Sequence, residues 1–224
     1  MLYASKPLTH STVDLGMLSI HKLKKQYGSH LILEIDQLQF DSGLFWIQGL
    51  NGTGKSTLLK ILGGIIPFKG EVQIDSTSLK KQTTEYRRLV SYVEAEPLYP
   101  PFLTGSDLIS FYSATRKASK EQLNQLIERF NIQSFLQNPI GTYSSGMVKK
   151  LSLVLAFLGN PKYILLDEPL VTIDKDSVPI LLGLVKKCSD EGINFIFTSH
   201  QAFEVSGLAP IQELEVKDTR VCFL

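Results

Sequence analysis

Gly49-Leu50-Asn51-Gly52-Thr53-Gly54-Lys55-Ser56 fits the pattern G-x-x-x-x-G-K-[ST]. These residue types suit the binding of a nucleoside triphosphate. Glycines let backbone N–H groups turn inward around phosphate oxygens, and a helix that starts there adds the positive end of its dipole. Lys55 supplies a point charge for the β- and γ-phosphates, and the Ser56 hydroxyl is a hard oxygen ligand for Mg²⁺. The context agrees. Leu44–Gly49 reads as a short apolar strand before the loop, and Thr57–Leu62 as a helix after it. Farther along, the apolar run Tyr163-Ile164-Leu165-Leu166 ends in Asp167-Glu168-Pro169. A strand that delivers two acids at its C-terminal end puts them where open α/β sheets bind ligands. Asp167 is a candidate Mg²⁺ holder. Glu168 is placed to polarise a water for attack on the γ-phosphate.

Tyr143-Ser144-Ser145-Gly146-Met147 lies shortly before that acidic strand. It resembles the signature motif of the ATP-binding cassette (ABC) family, whose usual form is L-S-G-G-Q. Ser144 and Gly146 match; Tyr143, Ser145 and Met147 depart, in a variant frequent among export-type cassettes. A serine with backbone N–H groups at a helix N-terminus makes a second anion site. The resemblance covers about residues 18–205, with its motifs in the family's order. It implies that Gly49, Asn51, Gly52, Thr53, Gly54, Lys55, Ser56 and Thr57 surround the ATP phosphates, with Ser56 and Asp167 on Mg²⁺. Tyr27 matches the aromatic that stacks on adenine, and His200 the switch histidine at the γ-phosphate. Asp174 matches the acid of a loop that crosses a dimer interface. Glu168 becomes the general base. Two copies, identical or paralogous, would close head to tail over two ATP molecules, with Ser144, Ser145 and Gly146 of one facing the phosphate loop of the other.

The family's pattern also places a glutamine after the strand that precedes the helical part. Here Tyr92-Val93-Glu94-Ala95-Glu96-Pro97 puts Ala95 there, and alanine offers no oxygen. Either Glu94 or Glu96 substitutes, or the contact is absent, so a working but slow ATPase is expected. The resemblance further implies a separate transmembrane permease subunit, docked near Leu98, Tyr99, Phe102 and Leu103, and a peripheral place on the cytoplasmic face of the membrane. The transport direction leans to export. The alternatives are a soluble cassette acting on ribosomes or DNA, and a regulator or scaffold.

These groups need a frame. Residues 18–23 and 31–40 alternate apolar and polar, which predicts half-buried antiparallel strands. Leu89–Val93, Tyr163–Asp167 and Asn194–Thr198 are short apolar runs fit for a buried parallel sheet. Between them, from Gly105 to about Gly159, the pattern is helical, with Ser119–Gln122 read as a capping box. The pattern reads as an α/β sheet with parallel strands and a helical insertion; the resemblance implies, more closely, a RecA-like P-loop NTPase core with a mainly parallel sheet, a small antiparallel β part and an inserted α-helical subdomain at about 98–159. Residues 1–16 are polar and read as a loose arm before a domain at 17–224.

Composition bounds the rest. The chain has 224 residues, 43% hydrophobic and 20% charged, which excludes collagen-like, coiled-coil and wholly disordered classes. Twenty-three basic and 22 acidic residues leave a net charge of +1, giving no global attraction to nucleic acid. No apolar run reaches the roughly 18 residues of a spanning helix. Cys188 and Cys222 do not make a disulfide framework and read as inert. The lysine clusters at 22–25, 149–150 and 186–187 read as solvated faces.

Overall fold

The computed structural model describes residues 16–199 and 211–224. The expected N-terminal arm therefore lies almost wholly outside the described residues. Strands β1 (Leu18–Tyr27) and β2 (His30–Phe40) form an antiparallel pair, as their alternation predicts. β3 (Leu44–Gln48) leads into the glycine loop and helix α1 (Lys55–Leu62). β4 (Lys69–Ile74) pairs back onto β1, and the two-residue β5 (Thr77–Ser78) extends that sheet. Helix α2 (Thr83–Leu89) then delivers the chain to β6 (Val90–Val93).

From β6 the chain leaves the sheet. It forms α3 (Gly105–Arg116), α4 (Lys120–Phe130), two 3₁₀ turns and α5 (Ser145–Phe157). It returns as β7 (Tyr163–Asp167), which pairs in parallel with β6. A helix α6 (Ser177–Asp190), β8 (Asn194–Thr198), β9 (Ile211–Lys217) and β10 (Arg220–Phe223) complete the fold.

Two sheets result. One is antiparallel, in the order β2-β1-β4-β5. The other has six strands in the order β10-β9-β3-β8-β7-β6, parallel throughout except for the edge strand β10. The mainly parallel core, the small antiparallel part and helices lying between two adjacent strands agree with the expected α/β class.

The apolar runs of β3, β7 and β8 are continuous because both faces of this sheet are covered. Successive side chains point to opposite faces. Leu44, Ile164, Leu166, Phe195 and Phe197 accordingly join one core with the helices α3–α6. Phe45, Ile47, Tyr163, Leu165 and Ile196 join the other, with α1 and the antiparallel sheet. The C-terminal ends of β3 and β7 are thereby fixed from both sides.

The helical part is pinned to the sheet by polar contacts. Arg116, at the end of α3, donates to the Ser91 hydroxyl and, at 3.1 Å, to the Val90 carbonyl. Ser119 does cap α4, accepting from the Gln122 N–H at 3.1 Å. The reciprocal half of the expected capping box is absent. Gln122 instead reaches across to α5, donating to Phe157 O and Gly159 O and accepting from Gly159 N–H. Those groups at the end of α5 are orphaned by the helix ending, and satisfying them outweighs closing one local cap.

Candidate functional site

The phosphate loop starts where β3 ends. Gly49, Gly52 and Gly54 all have positive φ, of 146°, 80° and 110°. Gly49 is the tightest: a Cβ there would lie 2.7 Å from the Val216 carbonyl oxygen and 2.9 Å from the Thr53 hydroxyl. α1 starts at Lys55, two residues earlier than the apolar pattern suggests, so Lys55 and Ser56 sit in its first turn. No side chain caps this helix start. Its positive end is left to a bound anion. The Lys55 ammonium donates to Gly49 O at 2.7 Å and to Leu50 O at 3.1 Å, while Asn51 and Gly52 are exposed.

Ser56 and Asp167 meet. The Ser56 hydroxyl donates to Asp167 Oδ1 at 3.0 Å, bridging residues 111 positions apart. Asp167 is buried and accepts two more hydroxyls: Thr198 on Oδ1 at 2.6 Å and Tyr92 on Oδ2 at 3.4 Å. Burial first, then the Asp167 charge, holds the Tyr92 phenol protonated, with its pKa raised well above the usual value. One carboxylate and one hydroxyl form a hard-oxygen donor set. That set fits Mg²⁺, which takes few protein ligands and completes its octahedron with phosphates and waters. Thr198 and Tyr92 have no motif of their own. Their place at the ends of β8 and β6, on the strands flanking β7, is the signal that could have found them.

Glu168 follows immediately, in a left-handed conformation with φ 44°. Its N–H donates to the Thr198 hydroxyl at 3.2 Å. A non-glycine residue held at positive φ costs of order 1 kcal/mol and persists only where its surroundings over-determine it.

Ser144 is the N-cap of α5 and accepts from the Met147 N–H at 3.3 Å. Ser144 and Ser145 are exposed. Gly146 faces the loop after β7, where a Cβ would lie 3.1 Å from Thr172 O. Beside it, Lys150 pairs with Asp174 at 2.7 Å. That hydrogen bond leads the causes that lower the Asp174 pKa, and Asp174 also accepts from the N–H and hydroxyl of Ser177 at the start of α6. The signature turn and the Asp174 loop therefore form one surface.

Lys149 overturns its expected place on a solvated face. It is fully buried, and its ammonium donates to the carbonyls of Glu94 and Ala95 at 2.9 and 3.0 Å. It also reaches the carbonyls of Glu168 and Asp167, at 3.3 and 3.4 Å. Burial pulls its pKa down to about 8, against the pull of Asp167, Glu168 and Glu96. Periodicity carries no trace of this contact. Ala95, expected at the glutamine position, contributes its carbonyl to a lysine. Glu94 turns its carboxylate to Lys60 at 3.4 Å, and Glu96 is exposed.

Tyr27 is half exposed, with the Lys25 ammonium 4.5 Å from its ring centroid. Lys25 itself is buried and bonded to Pro67 O, a second lysine not on a solvated face. Of the expected apolar patch, Leu98 and Phe102 are strongly exposed, whereas Tyr99 and Leu103 pack onto the helical core. Burial raises the Cys188 thiol pKa to about 11, which keeps it a thiol. His200 lies outside the described residues. Among the described residues no helix is long and apolar enough to cross a membrane.

Comparison with known proteins gives a consistent result. A family model described as ABC transporter matches residues 37–171, more than half of the chain. The cytochrome c biogenesis ATP-binding export protein CcmA of Haemophilus influenzae is 32% identical over 195 residues, spanning 85% of this chain and 92% of that protein. The linearmycin resistance ATP-binding protein LnrL of Bacillus subtilis is 28% identical over 86% of this chain; the match spans 64% of LnrL, just under two thirds of its length. The lantibiotic transport ATP-binding protein SrtF of Streptococcus pyogenes is 28% identical over 86% of this chain and 84% of its own. A solved structure titled as the ATP binding subunit of an ABC transporter superposes with a TM-score of 0.81 at 22% identity, over 93% of this chain and 90% of that one. That likeness establishes the P-loop fold.

Proposed function

The chain belongs to the ABC transporter family, and from that premise we propose that it is the ATP-binding, ATP-hydrolysing subunit that powers a separate membrane subunit. Two copies, or this chain and a paralogue, close head to tail over two ATP molecules. The observation that carries this reading is the meeting of Ser56 and Asp167 at the mouth of the phosphate loop.

Each residue then has a task. Tyr27 stacks on adenine. Backbone N–H groups from Gly49 to Thr57, with Asn51 and Thr53 among them, cradle the phosphates. Lys55 exchanges its two loop carbonyls for β- and γ-phosphate oxygens, a charge-assisted contact stronger than the one it gives up. Ser56 and Asp167 hold Mg²⁺, which when bound neutralises the charge developing on the phosphoryl oxygens. Glu168 accepts the proton of the attacking water. His200 touches the transferring phosphoryl group. Ser144, Ser145 and Gly146 of the other copy close the site, and Asp174 lies at the same interface. Hydrolysis removes the γ-phosphate that both copies share, and the pair reopens.

Outward transport is favoured by the relatives named for export and resistance, and by the signature variant. The exposed Leu98 and Phe102 offer an apolar surface for the membrane subunit, and in this reading the chain works as a peripheral protein on the cytoplasmic face. Nucleic acid is not a partner in this scheme.

The test is affinity purification from detergent-solubilised membranes. A multi-spanning protein in stoichiometric amount is expected. Recovery only from the soluble fraction, alone or with ribosomes or DNA, would overturn the transport role.

A further inference from the structure

The parallel ladder between β6 and β7 has its last paired residues at Val93 and Leu166. Just beyond that pair stand the carbonyls of Glu94 and Ala95 after β6 and those of Asp167 and Glu168 at the end of β7, where Asp167 is still paired with Thr198 of β8. Buried carbonyls must find donors. All four lie within 2.9 to 3.4 Å of one ammonium, that of Lys149, whose three N–H groups they share; the Glu168 carbonyl also accepts from the Val171 N–H at 3.1 Å. The lysine thus continues, from a different element, the rungs the sheet can no longer make. It stands on the second turn of α5, whose first turn carries Ser145 and Gly146.

We infer that Lys149 is a positioning residue for hydrolysis. Its ammonium holds the main chain of Glu168 in the left-handed conformation that aims the carboxylate, and ties that geometry to the signature helix. Ala95 makes this main-chain tie more important here, because residue 95 has no polar side chain with which to reach the site. A rigid helix then joins two events. The partner's ATP meets the first turn of α5, and the second turn of the same helix sets the chain's own Glu168. The inference rests on Glu168 being the general base.

A buried lysine that only satisfied carbonyls would change stability and leave chemistry alone. The two roles separate in a double-mutant cycle with Glu168→Gln, read by ATP affinity and by single-turnover hydrolysis in the ATP-bound fraction. Lys149→Met should slow hydrolysis roughly tenfold to a hundredfold while ATP affinity stays nearly constant. In the Glu168→Gln background the same substitution should cost almost nothing further, because the group it positions is already disabled. Lys149→Gln keeps one donor amide and should hydrolyse at an intermediate rate; it replaces the Met variant in the cycle if that protein does not fold. A wild-type rate in Lys149→Met, or losses that multiply in the double variant, would overturn the inference. A fast Glu168→Gln enzyme would instead overturn the general-base reading, and it is recognised separately because that variant keeps Lys149.

Discussion

Lys55 and Lys149 are both buried, and both end on main-chain carbonyl oxygens, yet they hold different things. Lys55 bonds to Gly49 and Leu50, six and five residues before it in its own loop. Lys149 bonds to strand ends 54 and 55 residues away on one side and 18 and 19 on the other. The first contact is local and exchangeable: a phosphate can take the ammonium from its two carbonyls without disturbing any distant element. The second is tertiary, because releasing it would take a donor from the carbonyls of Glu94, Ala95 and Asp167 at the joint of sheet and helices, and would leave Glu168 O with the Val171 N–H alone. In the proposed scheme the first cation moves to the ligand, and the second keeps the Glu168 carboxylate where the ligand will arrive.

Substitutions at the two places should therefore fail differently. The largest effect is expected from Lys55→Ala. Each charge-assisted bond lost to phosphate is worth about 1.5–3 kcal/mol, so ATP affinity should fall about a hundredfold or more. The thermal midpoint of the nucleotide-free protein should barely move. Equilibrium binding and a melting curve check both parts, and a large loss of stability would break the distinction between the two lysines.

Gly49→Ala comes next. A Cβ at φ 146° would press on the Val216 carbonyl, which is main chain and cannot swing aside. The expected cost is about 1–3 kcal/mol of stability, read as a lower denaturation midpoint, with weaker ATP binding as the loop shifts. The smallest effect is expected from Ala95→Gln. An amide added beside a loop already fastened by Lys149 should raise ATP turnover by a few-fold at most. No rise would count against Ala95 occupying the glutamine position.

Much of the frame is legible from local pattern. The strands β3, β7 and β8 are continuous apolar runs, and β1 and β2 alternate. The glycine loop and Asp167-Glu168 stand out because their residue types have few other uses at that spacing. Where the signal is tertiary, pattern fails. α2 packs on the core through only Tyr86, buried with its hydroxyl on Leu62 O, and the partly buried Leu89, too few for an apolar stripe to stand out. Gln122 looks like a local cap but serves the end of α5. Lys149 looks like half of a basic surface pair, and only the approach of two strand ends to α5 makes it a buried clamp. Its neighbour Lys150 pairs with Asp174, an acid that local pattern gives no reason to place there. The α1 start is missed by two residues because Lys55 and Ser56 are polar; glycine positions, rather than apolar spacing, decide where that helix starts.

In the proposed cycle an ATP-closed pair opens only when Glu168 supports hydrolysis. The most direct measurement is the mass of Glu168→Gln in solution, by sedimentation or light scattering, with Mg-ATP and with Mg-ADP. A dimer that forms with ATP, disappears with ADP and is lost when Ser144 is also replaced by a bulky residue is the predicted result. A Glu168→Gln protein that stays monomeric with saturating ATP, or hydrolyses it at the wild-type rate, would overturn the ATP-closed pair.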